Sequence, residues 1–112
     1  MSEVDDMIYL VEDQIVKKLR KSGFGRYLKL GGIFGYDIDS RNEWGEPVEF
    51  SISYFERLRG FEDSTVLVGV SRSWNGKVLM YVNVRSPYGE FGFPVTKEGL
   101  KKYLKIRKKL GR

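Results

Sequence analysis

The chain has 112 residues and a formal net charge of +5 at pH 7, and it contains neither cysteine nor histidine. That length supports a single domain, residues 1–112, with one modest core. The composition excludes disulfides and thiolate metal sites, and it removes the commonest metal ligand and the usual general base near neutral pH, so we expect no metal and no cofactor.

The first predicted element is an amphipathic helix that begins after Ser2 and extends to about Lys21. Ser2 can act as its N-cap, and acidic residues crowd its first turn while basic residues crowd its last, which suits the helix dipole. Apolar side chains recur at three- and four-residue spacing and predict one buried stripe. They are Val4, Met7, Ile8, Val11, Ile15 and Leu19. The segment SGFG, 22–25, ends this helix.

Two strand-like segments come next. The first, RYLKLGGIFGYDI, is interrupted by two consecutive glycines, Gly31 and Gly32, which predict a bulge or a bend. A polar turn, DSRNEWGEP, separates it from the second, VEFSISYF. In that second segment apolar and polar residues alternate, which predicts one buried face and one face in water. The residues expected on the buried face are Val48, Phe50, Ile52 and Tyr54.

The third and fourth strands, STVLVGVSRSW and KVLMYVNVR, form a predicted hairpin around Gly76. A two-residue loop and a three-residue loop would bring different side chains onto the same face. A three-residue loop with Gly76 in the left-handed conformation unites the apolar residues of both strands, so we predict that register. The residues it unites are Val66, Val68, Val70, Met80, Val82 and Val84. Leu79 and Tyr81 then lie on the opposite face.

The chain closes with a short fifth strand, FGFPV, and a final helix that Thr96 caps. One side of that helix is apolar, and the other carries lysines. These are Lys101, Lys102, Lys105, Lys108 and Lys109. The order of elements predicts an α+β fold with a single antiparallel sheet of four to five strands in meander order. The N-terminal and C-terminal helices are expected to pack on one face of the sheet, and the other face is expected to stay open.

The segment YGEFGFPV resembles the aromatic octapeptide of RNA-recognition motifs, with Phe91 and Phe93 at the matching spacing and a helix just after. The resemblance covers this segment only. Glu90 stands where that family has a glycine, Pro94 interrupts the strand, and the βαββαβ order of the family is missing. The family's roles are therefore not transferred, and we expect Phe91 and Phe93 in the core.

Charge is distributed unevenly along the chain. Residues 1–63 contain nine basic and thirteen acidic side chains, whereas residues 64–112 contain eleven basic and two acidic ones. Any solvated helix has a polar face, and lysines near a helix C-terminus also favour the dipole. The final helix goes further, because no acid follows Glu98. An external anion would stabilise these like charges, and nucleic-acid phosphate is the commonest one.

The open sheet face supplies a second candidate element. In the predicted register it presents Lys77, Tyr81 and Arg85 from the fourth strand beside small residues of the third. An exposed tyrosine between two cations is typical of surfaces that stack and neutralise single-stranded nucleic acid. The structural alternative is that Leu79 and Tyr81 cover the sheet or contact another subunit.

Clustered acids raise the question of metal-dependent catalysis. They are Asp37, Asp39, Glu43, Glu46 and Glu49. A calcium-loop pattern fails because Arg41 stands at its fifth position and Asn42 replaces its glycine. No acid-x-Lys pair, as metal nucleases use, begins at Glu49. We therefore expect a protein that is not an enzyme.

The sequence as a whole predicts a nucleic-acid-binding protein with little sequence preference and a preference for single strands. The alternative is a protein-interaction module, such as a small viral or plasmid protein that binds an acidic surface of a host factor, or a homodimer. No apolar run approaches the ~20 residues needed to cross a bilayer, and the acidic first residues are unlike a signal peptide. We therefore expect a cytoplasmic protein without membrane contact. The lack of alanine beside many ionic side chains suits a hot environment.

Overall fold

The computed structural model describes residues 2–56 and 64–110, which form an α+β fold around one five-stranded antiparallel sheet. The helices are α1 (Glu3–Ser22) and α2 (Lys97–Lys109), a single 3-10 turn lies at Phe24–Arg26, and the strands are β1 (Leu30–Arg41), β2 (Pro47–Glu56), β3 (Thr65–Arg72), β4 (Val78–Ser86) and β5 (Gly89–Pro94). The strands follow one another across the sheet in chain order, with β1 and β5 at the edges. The predicted fold class is confirmed.

Helix α1 begins and ends where the sequence predicts. The Ser2 hydroxyl accepts a hydrogen bond from the Asp5 amide at 3.2 Å, which satisfies one of the free amides of the first turn. At the other end Gly23 is left-handed, with φ 85°, and donates its amide to the Arg20 carbonyl oxygen. The apolar side chains that the helix buries are Met7, Val11 and Ile15.

The β3–β4 hairpin has the predicted three-residue loop. The Ser73 amide donates to the Lys77 carbonyl oxygen at 2.8 Å, and Gly76 is left-handed with φ 87°. The register pairs Val66 with Val84, Val68 with Val82 and Val70 with Met80, and all six side chains are buried. Leu79 and Tyr81 lie on the opposite face, where they are 40% and 45% exposed. The predicted division of this hairpin between the two faces is confirmed.

Strand β1 contains the predicted irregularity at its consecutive glycines. Its pairing with β2 shifts register between Leu30 and Ile33 and again between Ile33 and Gly35. Phe34 has no partner in that register, and its ring packs edge-on against Phe55 with 5.2 Å between centroids. The bulged end of β1 therefore carries an aromatic pair on the face away from the helices.

The polar turn predicted at 39–47 is shorter in the structure, because β1 continues to Arg41 and β2 begins at Pro47. The reason is a three-residue loop closed by the Asn42 amide, which donates to the Glu46 carbonyl oxygen at 2.9 Å. So short a loop lets the two strands pair almost to its tip.

Helix α2 docks on the sheet through an aromatic cluster. Tyr103 is 2% exposed, and its ring centroid lies 5.5 Å from that of Phe24 and 5.9 Å from that of Phe93. Burial raises the pKa of the Tyr103 hydroxyl, which keeps it neutral in the core. Phe91 packs against the same core, as predicted. Both helices thus cover the face that carries the buried valines.

The face away from the helices is less open than the sequence suggests. Leu67 points to this face and yet is only 6% exposed, between its register partners Phe55 and Asn83. The prediction treated the β3 residues on this face as a platform of small side chains, but the aromatic residues of β1 and β2 make one half of it apolar. Tyr81 occupies the other half.

The meander places alternate turns at opposite ends of the sheet. The β1–β2 and β3–β4 turns, residues 42–46 and 73–77, lie at one end, which we call the hairpin end. Helix α1 starts there too, since Glu3 and Arg41 form an ion pair of 2.6 Å.

Within the described chain, which measures 49 × 26 × 20 Å, neither helix is long and apolar enough to cross a membrane.

Candidate nucleic-acid interface

The lysines of α2 lie where the sequence predicts, on its outer side. Lys101, Lys102, Lys105, Lys108 and Lys109 are all exposed. In the described part of the chain, the acid nearest to this row is Glu98, whose carboxylate lies 3.6 Å from the Lys101 amine. Both side chains of that pair are largely in water, so it neutralises little of the row.

Basic residues at the end of α1 join this row, which the sequence did not predict. Gly23 lies against Leu100 of α2, close enough that a Cβ on Gly23 would stand 3.0 Å from the leucine side chain. That contact brings Lys18 and Lys21 beside Lys97, and the three line a shallow cavity of about 280 Å³ at the start of α2. The sequence assigned the α1 lysines only to dipole compensation, since nothing local indicates that two helix ends meet.

We call the combined set the two-helix basic surface. It consists of Lys18, Lys21, Lys97, Lys101, Lys102, Lys105, Lys108 and Lys109. Arg107 belongs to a different side of α2, because its guanidinium lies 5.5 Å from the centroid of the Tyr27 ring and is partly buried. The surface is therefore formed by lysines, whose compact and mobile charges suit phosphate contacts without a fixed geometry.

The second candidate element lies on the sheet face away from the helices. It contains the residues that the sequence predicts, but the charge of one of them is partly neutralised. Tyr81 pairs in register with Gly69 of β3 and Pro94 of β5 and is 45% exposed, so its side chain is accessible to a ligand. Lys77 is exposed as expected. Arg85, however, pairs with Glu90 of β5 at 3.5 Å, which reduces the charge it offers to a ligand.

The two elements lie on opposite sides of the sheet. Helix α2 packs through Tyr103 on the buried face, whereas Tyr81 points away from that face. They do not line one groove, and the β5 edge separates them, since α2 packs chiefly on β5. A ligand that contacts both must pass round this edge, which a flexible strand can do and a straight duplex cannot.

Acidic side chains do not converge on a metal site in residues 2–56 and 64–110. No group of three among them is close enough to hold an ion. Asp37 pairs in register with Ser51, in the middle of β1, while Glu43 and Glu46 belong to the turn at its end. The acids that the sequence brings close together are therefore spread along a hairpin.

Comparison with known proteins adds no further information. No family model, no curated protein and no solved structure matches this chain. The two-helix basic surface and the Tyr81 face are consequently the features from which function is inferred.

Proposed function

We propose that the protein is a non-enzymatic, cytoplasmic nucleic-acid-binding protein that holds phosphates on the two-helix basic surface and has little sequence preference. The supporting observation is the convergence of Lys18 and Lys21 with Lys97 at the start of the α2 lysine row. Neutralising phosphates with lysine releases condensed counterions, which supplies affinity without reading base identity. Compensation of the helix dipole explains the lysines at the end of α1. It does not explain why the positive charge continues along α2.

Single strands are the favoured ligand, because only a flexible chain can follow the surface from the helices round β5 to Tyr81. There a base would stack on the tyrosine ring, beside the small residues Gly69 and Ser71. Lys77 and the partly neutralised Arg85 flank that position on β4. In this proposal phosphates supply most of the affinity and stacking supplies the preference for single strands.

The proposal is tested by titrating purified, nuclease-treated protein with random-sequence oligonucleotides at increasing salt. Fluorescence anisotropy should report binding at low salt, with a slope of log K against log[salt] of several units in magnitude, because several phosphates are neutralised. Single strands should bind more tightly than duplexes of equal length. No binding of either at low salt would contradict the proposal and favour an acidic protein surface as the partner of these lysines.

Tyr81→Ala separates stacking from charge. Loss of the ring should weaken single-strand binding by about 1–3 kcal/mol and leave the salt slope nearly unchanged, since stacking releases no ions. Duplex binding should be unaffected. Leu79→Ala is the matched control, because Leu79 lies on the same face at similar exposure and offers no ring. Equal losses in the two variants, or a loss for duplex, would show that Tyr81 does not stack a base.

A further inference from the structure

The hairpin end carries both tryptophans of the chain, and both are unusually exposed. Trp44 in the β1–β2 turn is 76% exposed, and Trp74 in the β3–β4 turn is 73% exposed. The two turns are separated by two strand spacings, about 10 Å across the sheet. Tryptophan is enriched at the energetic centres of protein interfaces, where its large ring is desolvated. Two such rings at one end of the sheet therefore suggest a contact surface.

Both tryptophans lie in hydrogen-bonded three-residue turns of the same kind. Gly45 and Gly76 are each left-handed at the third position of a three-residue loop, with φ 80° and φ 87°. In the first turn the Asn42 side-chain oxygen accepts the amides of Trp44 and Glu46, at 3.0 and 2.9 Å. A partner therefore meets rings whose backbone is already ordered, which lowers the entropic cost of binding.

The charge around these rings selects a basic partner. Glu43 and Glu46 flank Trp44 in its turn, and the ion pair of Glu3 with Arg41 ties the acidic start of α1, with Asp5 and Asp6, to the same end. Lys77, in the turn of Trp74, is an exposed cation at this end, but these four acids outnumber it. The excess of acids repels nucleic acid and anionic lipid from the turn of Trp44. A positively charged protein surface with an apolar recess would complement it.

The opposite end of the same molecule has such a positively charged surface with an apolar recess. A cleft of about 510 Å³ lies between the end of α2 and the β4–β5 turn. It is lined by Tyr88, Phe91, Ile106, Lys109 and Leu110. Apolar walls of this volume suit an indole ring, and Lys105 and Lys108 lie close by on α2 to meet glutamates. We call this the tail cleft.

We infer that the protein associates head to tail with a second copy of itself, the tryptophans of one hairpin end packing into the tail cleft of the next molecule. Acidic residues at the hairpin end then meet the lysines at the end of α2. Because the two contacting surfaces differ, each bound pair still offers one free hairpin end and one free tail cleft. Such a heterologous contact extends into an open chain of subunits unless the rotation closes a ring.

Two variants, each damaged at one end, test this inference in the absence of nucleic acid. The head variant is Trp44→Ser with Trp74→Ser, and the tail variant is Tyr88→Ser with Lys109→Glu, all at exposed positions. Circular dichroism and thermal melts should show that both remain folded. In sedimentation velocity the wild type should grow progressively with concentration, whereas each variant alone should stay monomeric.

An equimolar mixture of the two variants gives the deciding result. The intact tail cleft of the head variant should accept the intact tryptophans of the tail variant, so that one-to-one dimers form and growth stops there. The tryptophan emission of the wild type should shift to the blue as concentration rises, because the indole rings leave water, and no other tryptophan contributes to the signal. A monomeric wild type, a closed dimer that either variant still forms alone, or a mixture that stays monomeric would each overturn the inference.

Discussion

Replacing Gly99 by alanine should destabilise the protein by about 3 kcal/mol or more, at the upper end of the usual cost of overpacking. In the interior of most helices, replacing glycine by alanine stabilises the protein by roughly 0.5–1 kcal/mol. The change in stability expected at Gly99 therefore has the opposite sign. The reason is the tight connection between β5 and α2, which brings the first turn of the helix against Pro94, the last residue of the strand. A Cβ on Gly99 would overlap the Pro94 carbonyl oxygen and stand 2.9 Å from its carbon, and backbone atoms cannot turn aside as a side chain can.

Gly35→Ala is the matched control for that change. A Cβ on Gly35 would meet nothing within 4 Å, and its φ is not positive, so alanine should alter stability little. Urea denaturation of the two variants, followed by circular dichroism, gives the comparison. Equal stability of Gly99→Ala and the wild type would mean that α2 does not begin against Pro94 as described.

Changing Lys101, Lys105 and Lys108 together to Gln should flatten the salt slope of nucleic-acid binding by about two to three units, since each phosphate contact contributes about 0.7–0.9. At moderate salt, the affinity of this triple variant for nucleic acid should fall on the order of 10²-fold. All three side chains are exposed, so the thermal melt should be unchanged. The measurement is an anisotropy titration at four or five salt concentrations.

Lys29→Gln and Lys105→Gln form the matched pair for this experiment. Both lysines are exposed and both changes remove one charge, but Lys29 lies just before β1, the edge strand opposite β5, and Lys105 lies on the two-helix basic surface. The Lys105 change should reduce the slope by about 0.7–0.9, and the Lys29 change should reduce it by much less. Equal effects would mean that binding follows net charge rather than a defined surface.

Much of the fold was predictable because hydrophobic alternation is a local signal with a single consistent solution. Only the three-residue loop at Gly76 placed Val66 and Val84 on one face, and a slip of one residue would have turned the valines of one strand to the opposite face. The starts of the helices were equally well specified, since the hydroxyls of Ser2 and Thr96 cap amides that lie only three residues further along the chain. These features need no knowledge of the rest of the chain.

The surfaces were less predictable because they depend on contacts distant in sequence. Lys21 and Lys97 become neighbours only through the docking of two helix ends, and no pattern in either segment indicates that contact. By contrast, the separation of Tyr81 from the basic helix was implied by the prediction that both helices pack on one face of the sheet. The predicted meander order likewise implied that the turns of Trp44 and Trp74 lie at the same end.

The most direct test of the proposed function is to map binding on the folded protein by amide chemical shifts. The uniformly labelled head variant, which stays monomeric, would be titrated with a random-sequence single-stranded oligonucleotide at low salt. We expect the largest shifts at Lys18, Lys21 and along α2, a second group around Tyr81, and little change in the β1–β2 turn, residues 42–46. Shifts confined to the hairpin end, or no saturable shifts at all, would contradict nucleic-acid binding by the two-helix basic surface.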